Sequence, residues 1–300
     1  MSSRDPEELT AARDGPPETR LPAATTMGPV HLTVSDLGRS LAYYRGVIGL
    51  AELERTSAAI SLGAGETELV VLVEEPGARP APGRTGLYHL ALLLPERVDL
   101  ARWLAHAARD RVRLVGLSDH FVSEAIYASD PDGHGIEIYC DRPRAIWEGR
   151  VAGRLTTLPL DVDGLLGELD DSASASFAGL PEGTRMGHVH LKVARIPETI
   201  EFYRDVLGFG LMAVFGSQAA FLAAGGYHHH VGANVWESSG GSPPPPGSAA
   251  LRHATIVLPA RGDRDELLGR IEVAGRELAD TPYGPAVSDP AGNRLVLAHG

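Results

Sequence analysis

The chain carries a single cysteine, Cys140. With no second thiol there is no intrachain disulfide, a usage that fits a reducing, cytoplasmic compartment. No run of about 18 apolar residues occurs, so no membrane-spanning helix is expected. Cations are in deficit: 27 Lys and Arg against 39 Asp and Glu give a formal net charge of -12. Nucleic-acid and anionic-membrane surfaces need clustered cations, so neither partner is expected. The N-terminus lacks the apolar core of a signal peptide. Residues 1–26 are polar and Pro-rich and read as a disordered leader. A phosphate-cradling Gly loop, a Ser-His-acid set and a CxxC pair are all missing.

What the chain has is a repeat. "GPVHLTVSDLGRSLAYYRGVIGL" at 28–50 returns as "GHVHLKVARIPETIEFYRDVLGF" at 187–209, a constant offset of 159. The same offset relates Asp130-Pro131 to Asp289-Pro290 and Gly133 to Gly292. Each half divides again. The first quarter opens with a strand, "PVHLTV". A helix follows, with Leu37, Leu41, Tyr44 and Ile48 on one stripe. Strands come next near 57–63 and 67–74. The second quarter runs strand 87–94, helix 96–109, then strands 112–117, 121–129 and 135–140. The unit is βαβββ, in four copies. The expected fold is α+β, with the modules paired into two cupped-sheet domains at 27–142 and 186–300. A linker at 143–185 carries a short amphipathic helix, "DVDGLLGELDD", and a flexible "SASAS". The four prolines of "SSGGSPPPPGSA" at 238–249 forbid a central strand or continuous helix there.

Strand alternation sorts side chains onto two faces. Val30, Leu32 and Val34 face the helix, and His31 lies opposite. Leu90, Leu92 and Leu94 face inward, and His89 lies opposite. Ile136, Ile138 and Cys140 share one face, and Glu137 and Tyr139 the other. If these strands curve into one cup, His31, His89 and Glu137 converge. Two imidazoles and a carboxylate suit iron(II), manganese(II) or zinc, and leave three coordination positions open. A single strand histidine is more often a packed, hydrogen-bonded residue. Three metal-capable groups at matching places favour a site.

At this point the chain resembles the vicinal oxygen chelate superfamily, and within it the two-domain extradiol ring-cleaving dioxygenases. His120 is followed by five residues, then Ile126-Tyr127, Ala128-Ser129, Asp130-Pro131, Asp132-Gly133, three residues and Glu137. This fits the extradiol pattern except at Ser118, two places before the histidine. The resemblance implies a metal triad of His31, His89 and Glu137, with iron(II) or another divalent metal such as manganese(II). It implies catalytic roles for His120 and Tyr127, and an aromatic diol and O2 as substrates. A homodimer is a further expectation. One departure stands out. Extradiol enzymes usually supply an acid/base histidine from the last strand of the first module, and none lies between His31 and His89. Only Glu74 and Glu75 are near that place.

In the C-terminal half the glutamate position is Val296 and the Tyr127 position is Ala286. His188, His190, His228, His230 and His253 suggest either a second metal site or a polar pocket wall. Two other functions compete with ring cleavage: a glyoxalase-like lyase or isomerase, and a protein that sequesters a small aromatic compound.

Overall fold

The computed structural model describes residues 19–169 and 177–300. Most of the expected leader and the "SASAS" stretch lie outside the described residues.

Four βαβββ modules follow one another along the chain. The first has strands Val30–Val34, Ala51–Arg55, Ala59–Ala64 and Thr67–Glu74, and a helix Leu37–Tyr43 that widens into a π-turn at Tyr44–Ile48. The second has strands Gly86–Leu93, Gly116–Asp119, Ser123–Ser129 and Gly135–Asp141, with helix Arg97–Arg109. The third has strands Arg185–Lys192, Gly210–Phe215, Ala219–Ala223 and Val231–Asn234, with helix Ile196–Ile200 continuing through Glu201–Leu207. The fourth has strands Leu251–Leu258, Leu278–Thr281, Gly284–Ser288 and Arg294–His299, with helix Arg261–Val273.

The repeat is visible in local chemistry. The first-module helix starts where Asp36 accepts from the Arg39 N–H at 2.8 Å. It stops at Gly49, whose φ of 94° is paired by 95° at Gly208 in the third module. The Asp-Pro-x-Gly turns are also alike. Asp130 Oδ1 accepts from the backbone of Asp132 and His134, and Asp289 Oδ1 from Ala291 and Asn293. The second oxygen of each reaches a helix of the preceding module. Tyr44 donates to Asp130 and Tyr203 to Asp289, both at 3.2 Å. Modules one and two, and modules three and four, are thereby lashed together, and apolar residues of all four share one continuous core.

The strands pair in a different order from the one expected. The first strand of module one lies antiparallel to the first strand of module four, and the first strand of module two to that of module three. The two sheets therefore combine modules one and four, and modules two and three. Residues 27–142 do not close a cup of their own, because their two modules lie in different sheets. The sequence pattern cannot decide this. All four modules present the same apolar back and open first strand, so any pair satisfies the alternation.

The boundaries differ too. Residues 19–26, expected to be leader, are built into the fold. The N–H groups of Arg20 and Leu21 donate to the Gly208 carbonyl, Leu21 is buried, and Thr26–Met27 pairs with Ile256 and Val257. The linker holds its expected helix at Val162–Leu166. It also carries turns at Arg144–Trp147 and Val151–Arg154, whose Trp147 and Val151 pack on Met212, Ala213 and Phe221 of module three.

Candidate metal centre and active site

The cup of modules two and three concentrates the polar side chains. Glu137 faces Ala91 across the parallel pair Gly86–Leu93 and Gly135–Asp141. His188 faces the same Ala91 from the antiparallel side. The alanine methyl leaves the gap in which carboxylate and imidazole meet. His188 Nε2 lies 3.2 Å and His89 Nε2 2.9 Å from Glu137 Oε2, and the two nitrogens are 3.4 Å apart. Among the described residues, this trio is the only group of three or more acidic, histidine or cysteine side chains whose ligand atoms converge. All three residues are buried.

The structure thus brings His89 and Glu137 together and places His31 elsewhere. His31 stacks on His253 at 3.9 Å in the other sheet. The third member is His188, two positions before His190 and on the same strand face, which the sequence groups with the histidines of a separate C-terminal site. Nor do His190, His228, His230 and His253 gather into a second cluster. His228 bonds Asp141, His230 Nδ1 accepts from the Ala224 N–H, and His253 belongs to the other cup.

Electrostatics prepare the trio for a cation. Burial alone would push the Glu137 carboxyl up, but His188 and His89 beside it hold it well below the usual carboxylate range. Burial lowers His188 to about 4, against the opposing pull of Glu137. At neutral pH Glu137 is a carboxylate and His188 a neutral imidazole, the protonation states in which these groups ligate.

His120 and Tyr127 sit together at the rim of this trio. His120 Nδ1 lies 2.7 Å from the Thr156 carbonyl and His120 Nε2 lies 2.7 Å from the Tyr127 hydroxyl. A carbonyl can only accept, so Nδ1 carries the proton and the Tyr127 O–H donates to Nε2. Burial, then the charge of Glu137, raises Tyr127 well above its ordinary value, so it stays a phenol. Tyr127 is directly opposite Glu137 in the sheet, and its ring is 5.5 Å from His89.

The same logic orders the "YHHH" segment. His228 Nε2 lies 2.7 Å from Asp141 Oδ1 and so carries a proton. Its Nδ1 then accepts from His229 Nδ1, 2.8 Å away. His229 is left with a bare Nε2, and its ring lies 4.0 Å from that of His188. Glu74, near the place where an acid/base group was sought, instead accepts from the Leu37 N–H at the first helix. Cys140 is a buried thiol pushed up to about 12, first by burial and then by nearby carboxylates. Trp236 is half exposed and stands with Tyr88 against His190.

Both halves of the chain match one protein family, Glyoxalase/Bleomycin resistance protein/Dioxygenase superfamily, over residues 26–138 and 185–297. The chain belongs to this superfamily. Its repeat is the superfamily's module pair, and the two cupped sheets are its fold. Within the superfamily the chain is 40% identical over 278 residues to "Catechol-2,3-dioxygenase" of Bacillus subtilis, covering 91% of this chain and 96% of that one. Solved superfamily structures share the fold. A putative dioxygenase from Bacillus subtilis superposes with a TM-score of 0.61 at 15% identity, covering 91% of this chain and 85% of that one. Glyoxalase I from Zea mays gives 0.57 at 15% identity, covering 92% of each chain.

Proposed function

We propose that the protein is a metal-dependent extradiol dioxygenase, opening a catechol-type diol next to its hydroxyls and inserting both atoms of O2. The observation that carries this reading is the buried convergence of His89, Glu137 and His188 beside the His120–Tyr127 pair. The similarity to a catechol-2,3-dioxygenase over nearly the whole chain supports it. Two imidazoles and one carboxylate suit iron(II) or manganese(II) and leave positions for a bidentate diol and oxygen. Such a metal, once bound by His89, Glu137 and His188, would supply Lewis acidity and redox chemistry to both substrates.

The protein's own groups then orient and move protons. His229, with its bare Nε2 fixed by the Asp141–His228 chain, can take a proton from a diol hydroxyl. This answers the absence of a histidine between His31 and His89. The cup's other module is the third, and the third module carries the acid/base imidazole ahead of its last strand. Tyr127, kept as a phenol, can turn its single O–H from His120 Nε2 to an oxyanion that forms during ring opening. Tyr88, Phe221 and Trp236 surround His190 and give an aromatic ring apolar walls. A ligand set of three residues beside the His120–Tyr127 pair favours ring cleavage over a glyoxalase-like lyase, whose sites commonly use four protein ligands.

The test is anaerobic loading with iron(II), then a catechol panel followed by oxygen uptake and the yellow ring-opened product. Glu137→Ala should lose both metal and turnover. Absence of oxygen uptake with every diol, with metal content unchanged in Glu137→Ala, overturns the proposal.

A further inference from the structure

The cup of modules one and four matches the metal cup row by row, with different chemistry. In the metal cup one row runs Tyr127, Glu137, Ala91, His188. In the other cup that row runs Ala286, Val296, Thr255. The next row of the metal cup is Gly135, His89, His190, Gly232, and its counterpart places His253, His31, Val71 in line. The 159-residue offset sets Arg294 where Gly135 stands and Pro29 where His188 stands. A carboxylate has become valine, a glycine has become arginine, and one ligand position is proline.

A second arginine joins the first. Arg252 occupies the β-bulge between Leu251 and His253, and from there its Nη1 donates to the Thr33 hydroxyl at 3.3 Å. Arg252 and Arg294 both act electrostatically on His253. Beside them lies the buried His31–His253 stack, in which His31 Nδ1 and His253 Nε2 have no partner. Buried polar atoms without partners are costly unless something completes them. Tyr283 covers the stack, its ring 4.4 Å from that of His31, while 53% of it is exposed. Two guanidinium cations repel a metal ion and attract an anion.

We propose that this second cup binds a small organic carboxylate. Arg252 and Arg294 take the carboxylate, the unpartnered imidazole nitrogens its remaining polar edge, and Tyr283 covers its apolar body. The occupant is a second kind of ligand, distinct from the diol of the metal cup.

Titration calorimetry on the full chain with benzoate as the probe tests this. One site is expected, retained in Glu137→Gln and weakened at least tenfold by Arg252→Gln combined with Arg294→Gln. Equal affinity in the double variant overturns the proposal, as does loss of the site in Glu137→Gln, which would put benzoate in the metal cup. Should the double variant fail to fold, imidazole NMR of the unaltered chain decides. Benzoate should shift His31 and His253, and silent imidazoles overturn the idea. Zinc held by Glu137→Gln and lost on adding His253→Ala also overturns it.

Discussion

Glu137 holds two imidazoles on a single oxygen, and this makes the roles of individual histidines separable. His188→Ala should remove bound metal, whereas His31→Ala should leave the metal content of the protein unchanged; elemental analysis after iron loading checks both. A fall in metal on His31→Ala would show that the first module reaches the trio. His120→Gln should lower kcat by roughly 10²-fold while metal is retained, as expected when a proton-handling group is lost. Glu137 and His89 were legible in the sequence because strand alternation set them opposite apolar backs. His188 was not. It shares a face with His190, and nothing local says which of the two lies beside the Ala91 gap.

At the scale of elements, close approaches fix where the ligand strands lie. A Cβ at Gly187 would run into the Tyr139 hydroxyl, which is itself bonded to the Tyr227 hydroxyl at 2.8 Å. Gly187→Ala should displace Tyr139 and, with it, the neighbouring His188. A lowered melting temperature together with weakened metal binding is expected, and wild-type values for both would refute the packing argument. The lashings are separable in the same way. Tyr44→Phe and Tyr203→Phe each remove one hydrogen bond to a buried turn aspartate, at a cost of about 1 kcal/mol each. Urea unfolding of the singles and the double should give additive losses, because the two contacts share no residue. The helices, their apolar stripes and the Asp-Pro-x-Gly turns could be read from sequence, since each depends on neighbours within a few positions. The strand expected at 112–117 begins only at Gly116, because Val112 still closes the preceding helix through the Ala107 carbonyl.

At the scale of the whole molecule, a large set of buried histidines governs the response to acid. Burial lowers His31 and His230 to about 3 and His188 and His253 to about 4, from 6.5. Between these values the unfolded chain binds protons that the folded chain refuses, so stability falls as pH drops below 6.5. Glu137, held low in the fold, acts in the same direction at more acidic pH. The melting temperature of metal-free protein should be level above neutrality and fall steeply from 6.5 toward 4. A melting temperature that holds or rises on acidification would contradict the burial of these imidazoles.

Duplicated genes commonly keep one working copy and let the other drift. That route is closed here at the level of the halves, because each half contributes one module to the metal cup and one to the other. His89 and Glu137 come from the first half and His188 from the second. Neither half is a spare, and a chain cut within the linker should bind iron only when its two pieces are mixed. The difference between copies lies with the cups instead: one holds the carboxylate of Glu137 where the other holds Val296, so the two cups of a single polypeptide are chemically unlike although their modules match.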